Sequence, residues 1–381
     1  METRKMNRLG IDMPLLGMGL MRLPMKDGDI DDEQAIKMVD EMYAAGVRYF
    51  DTAYVYGDGQ SENFARRALT ERYPRDSFCI ATKLPMYKAA DPEAAEKLFA
   101  ESCRRLGVDY VDFYLLHALN GGSWDKAKER GIDVYQKQLK EAGRIRYRGF
   151  SYHGSPDDLR RIIADDPDWD FIQLQVNYYD WYASDAAELY DIVTSNGIPL
   201  IIMEPVRGSA LHDLGEDVRE MFLAARPDDS NVKWAMRWIG SRTGVNVVLS
   251  GVSTLEHVRE NVTFYAPLEP LTDSEEQVVK GVVDLVQSRP FIACTGCRYC
   301  DGCPQSVAIP AIFRAMNDHT SLYDTGKALW LYFEDIGEEH NAAKCIGCGA
   351  CVAKCPQGIN IPEELSRVHT VLTELREKQK A

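Results

Sequence analysis

The chain has 381 residues, enough for one large domain of about 250 residues and a smaller one. Its formal charge of -15 argues against a nucleic-acid or anionic-membrane partner, either of which calls for a basic surface. The opening METRKMNRLG lacks the apolar stretch of a secretory leader, and no apolar run approaches the ~20 residues that cross a bilayer, so a cytoplasmic protein is expected.

Short β-branched or aromatic runs alternate with amphipathic segments through the first two-thirds of the chain. Strands are expected at 14–20, 47–53, 78–83, 110–117, 145–151, 171–177, 198–204 and 245–251. Helical patterns lie between them, as in DEQAIKMVDEMYAAG (32–46) and DPEAAEKLFAESCRRLG (91–107), both closed by glycine. Strands this apolar, each followed by a helix, predict an α/β chain folded as a (β/α)8 TIM barrel. An open doubly wound sheet is disfavoured because no G-x-G-x-x-G turn follows the first strand.

Barrel enzymes work at the C-terminal ends of their strands. Asp51, Lys83 and His117 end the second, third and fourth expected strands, and Tyr56 follows Asp51 within DTAYVYG. Each has a bland reading, His117 as a core histidine and Tyr56 as a loop aromatic. Lysine is rarely buried without a partner, and Asp51 is a candidate partner for Lys83. Trp124, Trp181, Tyr178 and Tyr179 are candidate pocket walls, whereas Trp234 and Trp238, spaced for one helix face, read as core.

The barrel is expected over residues 1–270. A connecting helix with an Asp or Ser cap is expected over 271–289, and a mainly helical domain over 290–381. Ten cysteines without an export signal do not read as disulfides. Cys79 and Cys103 are expected in the core. The other eight form two runs, each ending in a near-identical unit, CPQSVAIP (303–310) and CPQGINIP (355–362), which marks a duplication. Cys345, Cys348, Cys351 and Cys355 have the C-x2-C-x2-C-x3-C-P spacing of bacterial ferredoxins; Cys294, Cys297, Cys300 and Cys303 are one residue tighter. Two 4Fe-4S clusters are expected. In two-cluster ferredoxins the fourth cysteine serves the other cluster, which would join Cys355 to Cys294, Cys297 and Cys300, and Cys303 to Cys345, Cys348 and Cys351. Structural zinc is the alternative, although it usually takes two separated C-x2-C pairs.

FDTAYVYGDGQSENFARRAL, ATKLP, DYVDFYLLHAL and GVSTLEHVRENV together resemble the aldo-keto reductase superfamily, and with the cysteine runs behind them its iron–sulfur branch. The resemblance implies a catalytic tetrad. Tyr56 would be the general acid, Lys83 would lower its pKa, Asp51 would orient Lys83, and His117 would polarise a carbonyl. It also implies a nicotinamide pocket. Ser151 and Gln173 would bind the carboxamide, Met203 would stand where an aromatic usually stacks, and Glu260 and Asn261 would contact adenine. Tyr152 replaces an expected asparagine, and Glu204 stands near the pyrophosphate position. The cations that would clamp a 2′-phosphate fall at Gly251 and His257, which favours NADH over NADPH and leaves open a site that binds no nicotinamide.

Three functions follow. The first is carbonyl or enone reduction, with the clusters as an electron conduit from ferredoxin or another one-electron carrier. The second is NAD(P)H-dependent reduction with structural clusters. The third is a non-catalytic redox-sensing adaptor.

Overall fold

The structure is a computed structural model that describes residues 1–289, 291–292, 294, 296, 300–320, 324–355 and 357–380. Eight parallel strands close into a barrel: β1 (Leu16–Gly19), β2 (Tyr49–Asp51), β3 (Cys79–Pro85), β4 (Val111–Leu119), β5 (Ile145–Tyr152), β6 (Phe171–Gln175), β7 (Leu200–Met203) and β8 (Val245–Ser250). All eight coincide with the stretches expected from the sequence. They follow one another around the barrel in chain order, and β8 closes on β1 through the pair Val248 and Leu16.

The strands hold because both faces are covered. Tyr49, Ala81, Phe113, Leu115, Phe171, Ile201, Val247 and Leu249 form an interior cluster, with the Phe113 ring 4.9 Å from those of Tyr49 and Phe171. Gly149 on β5 is required by this packing, because the Phe171 carbonyl and ring occupy the space where its Cβ would stand. A short hairpin, Thr3–Met6 against Ile11–Pro14, delivers Met6 and Met13 into the same cluster and seals the N-terminal end.

The helix Pro92–Leu106 begins where the Asp91 side chain accepts the Ala94 N–H and ends at Gly107 in left-handed conformation (φ 67), as the glycine predicts. The connecting helix runs Asp273–Ser288, but neither Asp273 nor Ser274 caps it. Thr272 Oγ1 accepts the Glu275 N–H at 3.3 Å, while Glu275 Oε2 accepts the Thr272 N–H at 2.8 Å. This reciprocal capping box needs a long acid three residues on, which TDSE supplies. Among the described residues no helix is long and apolar enough to cross a membrane.

Two compact units emerge: Met1–Gly208 with Val232–Glu276, and Ser209–Asn231 with Gln277–Ala381. In the second, Arg289 donates to the Leu214 carbonyl at 2.7 Å and to Asp217 at 2.8 Å. Its core joins Ile312, Phe313 and Met316 of helix Ile309–Thr320 to Tyr332 and to Leu365, Val368 and Leu372 of helix Ile361–Lys380.

The duplicated motif is a duplicated structure. In each copy the isoleucine and proline of "IP" open a helix, at Ile309 and at Ile361, which suits proline in a first helical turn. Each helix follows a tight turn closed by a bond to the last cysteine, Ser306 N to Cys303 O at 2.9 Å and Gly358 N to Cys355 O at 3.2 Å. Both turns use a left-handed residue, Gly358 (φ 65) in one copy and Ser306 (φ 52) in the other.

Candidate active site

Asp51, Lys83 and His117 stand on three adjacent strands, with Asp51 paired to Ala81 and His117 to Pro85 in the backbone register. Asp51 is 3% exposed and Lys83 1%. Lys83 Nζ donates to Asp51 Oδ1 at 2.5 Å and to the Thr52 carbonyl at 2.8 Å. The same ammonium lies 4.9 Å from the centre of the Tyr56 ring, and that ring meets the His117 imidazole nearly edge-on at 5.9 Å. Tyr56 opens a tight turn whose next two residues, Gly57 and Asp58, are both left-handed.

Burial sets the charges here. It works against the Lys83 ammonium, yet Asp51 and Tyr56 hold that amine above the ordinary lysine value. Burial pushes the Asp51 carboxyl up, opposed by Lys83 and by a Gln173 hydrogen bond. The expectation that Tyr56 is lowered overall needs correction. Lys83 does favour the phenolate, but the cost of burying that charge is larger, and Asp51 and Glu204 add to it, so the phenol is pushed up. Burial, then Lys83 and His153, bring His117 down to about 3, leaving a neutral imidazole.

Gln173 and Ser151 are register partners on β6 and β5. Ser151 Oγ accepts the Ala118 N–H at 2.9 Å, at the point where the β4–β5 pairing shifts register. Gln173 Oε1 is buried without a partner among the described residues. Met203 packs against the barrel-interior cluster. Tyr152 turns its hydroxyl to the Ser155 carbonyl at 2.6 Å. Asn261 is buried and donates to Ser250 Oγ at 2.6 Å, whereas Glu260 on the same helix is partly exposed.

Gly251 and His257 are exposed, and a guanidinium absent from the sequence expectation approaches this region. The Arg22 side chain passes 3.6 Å from where a Gly251 Cβ would be, and its Nη2 lies 3.8 Å from Glu204 Oε1. His153, just past β5, was equally unforeseen. It is lowered by burial and raised by Glu204, and it acts on His117, so it belongs to the same rim. The signal for it was position alone, two residues beyond Ser151.

Trp124 and Tyr178 are not pocket walls. Trp124 is buried, stacks edge-on with Trp169 and bonds Asp165. Tyr178 and Trp181 pack on Trp238, which is core as expected, like Trp234. Tyr179 lies under the Arg207 guanidinium.

Residues 15–283 match the aldo/keto reductase family. The chain belongs to that family. It is 26% identical to L-galactose dehydrogenase of Arabidopsis thaliana, across 75% of this chain and 96% of the relative. It is 25% identical to the NADH-specific methylglyoxal reductase of Escherichia coli K12, across 68% of this chain and 89% of the relative. Among solved structures, the holo form of aldo-keto reductase AKR11C1 from Bacillus halodurans superposes with a TM-score of 0.63 at 25% identity, covering 74% of this chain and 96% of that one. This aldo/keto reductase is thus an oxidoreductase, and residues 293–359 match a 4Fe-4S dicluster domain.

The barrel fits a nicotinamide at its carboxamide end. A carboxamide offers one acceptor and two N–H donors. Ser151, its acceptor side used by Ala118, keeps a hydroxyl proton to give, and the orphaned Gln173 Oε1 is the matching acceptor.

The cysteines fit clusters. Cys294, Cys300, Cys303, Cys345, Cys351 and Cys355 are half-buried against the tail core, Cys348 is exposed, and none of these seven is in a disulfide; Cys297 lies outside the described residues. Burial raises Cys351, and Cys345, Cys303 and Cys348 raise it further, so Cys303 of the first run acts on a thiol of the second. Among the described residues no three His, Cys, Asp or Glu side chains are arranged to hold a single metal ion. The two remaining thiols are chemically quiet. Cys79 and Cys103 are only partly buried, but burial pushes them up to about 12 and about 11.

Proposed function

We propose that this aldo/keto reductase reduces a small-molecule aldehyde, ketone or enone at the open end of its barrel, with Tyr56 as the proton donor. The observation that carries this reading is the Lys83–Asp51 ion pair, buried at 2.5 Å beneath the Tyr56 ring. An ammonium kept charged against burial has a use where a phenol must briefly become a phenolate.

The neutral His117 carries an N–H to bond the carbonyl oxygen and draw electron density from its carbon. As that carbon gains two electrons, the oxygen takes the Tyr56 proton. Lys83 stabilises the phenolate left behind, Asp51 holds Lys83 charged, and solvent returns the proton. Because the resting phenol is raised, it arrives protonated at neutral pH. A reduced nicotinamide, when bound against Ser151 and Gln173, supplies the hydride.

The eight clustered cysteines support a second source of reducing power. In that reading Cys294, Cys297, Cys300 and Cys355 would hold one 4Fe-4S cluster and Cys345, Cys348, Cys351 and Cys303 the other, and the pair would supply electrons singly from ferredoxin or a like carrier, two electrons and two protons per carbonyl reduced. Anaerobic assays on a carbonyl panel separate the sources. Turnover with NADH that survives removal of the second run's cysteines establishes the hydride reading. Turnover with reduced viologen and no nicotinamide, lost in the same variants, establishes the conduit. Inactivity with both donors across the panel refutes carbonyl reduction.

A further inference from the structure

Glu62 is fully buried, 0% exposed, in the helix Gln60–Ala65 that follows the Tyr56 turn. A buried carboxylate is costly unless its oxygens are engaged, and both are. Oε1 accepts the Thr82 hydroxyl at 2.6 Å, and Oε2 lies 3.2 Å from Arg105 Nη1. Thr82 precedes Lys83 on β3, and strand alternation sends the two side chains to opposite faces. Arg105, from helix Pro92–Leu106, donates the same Nη1 to the Tyr54 carbonyl at 3.0 Å, and its guanidinium covers the Tyr54 ring at 4.3 Å. It also fills the space that a side chain at the left-handed Gly59 would need. Arg105 therefore grips both ends of the turn that carries Tyr56. The adjacent Ser61 fastens the helix bearing Glu62 to the first strands, through Thr52 Oγ1 at 2.7 Å and the Leu20 carbonyl at 2.8 Å.

We infer that Glu62 and Arg105 are positioning residues that set the distance between Tyr56 and Lys83: one buried carboxylate ties the strand bearing the lysine to the arginine that holds the tyrosine's turn. The inference rests on Tyr56 being the proton donor. Lys83, Asp51 and Glu204 are the charges that act most on the phenol. Thr82→Val changes no charge, so a shift of the Tyr56 titration in that variant reports displacement and not the loss of a neighbouring charge.

The experiment compares Glu62→Gln, Arg105→Lys, Thr82→Val and Thr82→Ser in the full, cluster-loaded chain. Thermal unfolding, kcat and KM are measured, together with Tyr56 ionisation by NMR of 13C-labelled tyrosine, its resonance assigned with Tyr56→Phe. Glu62→Gln is expected to lower kcat by about tenfold to a hundredfold, the scale of a small misplacement of reacting groups, with KM little changed and the Tyr56 titration moved. Thr82→Val, which is less disruptive, shifts both in the same direction, and Thr82→Ser restores them. The inference is overturned if Glu62→Gln and Thr82→Val change only thermal stability and leave the Tyr56 titration as in the wild type. The NMR arm needs no turnover, so it decides this point even if no carbonyl is reduced.

Discussion

The Ser151 hydroxyl accepts the backbone N–H of Ala118 at 2.9 Å, and Ala118 is the left-handed residue (φ 53) that follows His117. One side chain thus holds the bend that aims the imidazole. Ser151→Ala leaves the Ala118 N–H without that acceptor, and because the bond is only partly buried the loss is that of an ordinary hydrogen bond, about 0.5–1.5 kcal/mol. The variant is expected to lower kcat and to let His117, now near 3, titrate closer to the ordinary histidine value, as followed by imidazole NMR.

The pH behaviour follows from two directions. Tyr56 is raised and His117 lowered, so neither changes protonation near neutrality. The rate of carbonyl reduction should be flat over roughly pH 6 to 9 and fall only above the ordinary tyrosine value. For stability, a histidine whose folded pKa is depressed leaves the unfolded chain binding the extra proton. His117 therefore lowers stability progressively as pH falls from the ordinary histidine value towards about 3, and has no effect above it. Denaturant titrations of wild type and His117→Gln across that window measure the difference.

Lys83 and Asp51 should be separable by their effects on folding and on chemistry. Lys83→Met strands the Asp51 carboxylate in the wall, at a cost of about 3–5 kcal/mol. Adding Asp51→Asn removes the stranded charge and should recover most of that loss. Turnover should stay down by about 10²–10⁴ in both variants, since the phenolate has lost its cation. Full activity in the double variant would contradict the role assigned to Lys83.

All eight barrel strands were legible because most of their residues are buried, which leaves mainly apolar runs such as FYLL on β4. The Asp51, Lys83 and His117 placements were legible because they end such runs. The hairpin at the N-terminus was not, since TRKM and IDMP bury little beyond Met6 and Met13. Nor was the helix Ile361–Lys380, whose few buried positions sit in a heavily charged stretch. The sign of the Tyr56 shift was missed for a different reason. A sequence announces a neighbouring charge, but the extent of desolvation appears only once the wall is built.

The duplicated turns give a direct comparison within one chain. Ser306 adopts the left-handed conformation that its counterpart Gly358 takes without a Cβ. Ser306→Gly removes that conformational cost and should stabilise the chain by about 0.5–1 kcal/mol after the added backbone entropy. Thermal unfolding of the anaerobic, cluster-loaded protein reads this out. Gly358→Ser should do the reverse.

Cys303 acts on Cys351 through space, as Cys345 and Cys348 do, although it closes the other run. Under the crossed pattern Cys303→Ser should perturb the cluster held by the second run, and Cys355→Ser the one held by the first. Iron and sulfide counts with EPR of each reduced variant check this. Loss confined to the mutated cysteine's own run would establish local ligation instead.

Met6 and Met13, delivered by the N-terminal hairpin, fill the floor of the cylinder, so among the described residues Tyr56 is approached from the opposite rim. Under the hydride reading, a donor seated against Ser151 and Gln173 and the carbonyl compound would both enter by that rim, whereas electrons delivered singly would leave the entrance to the substrate alone.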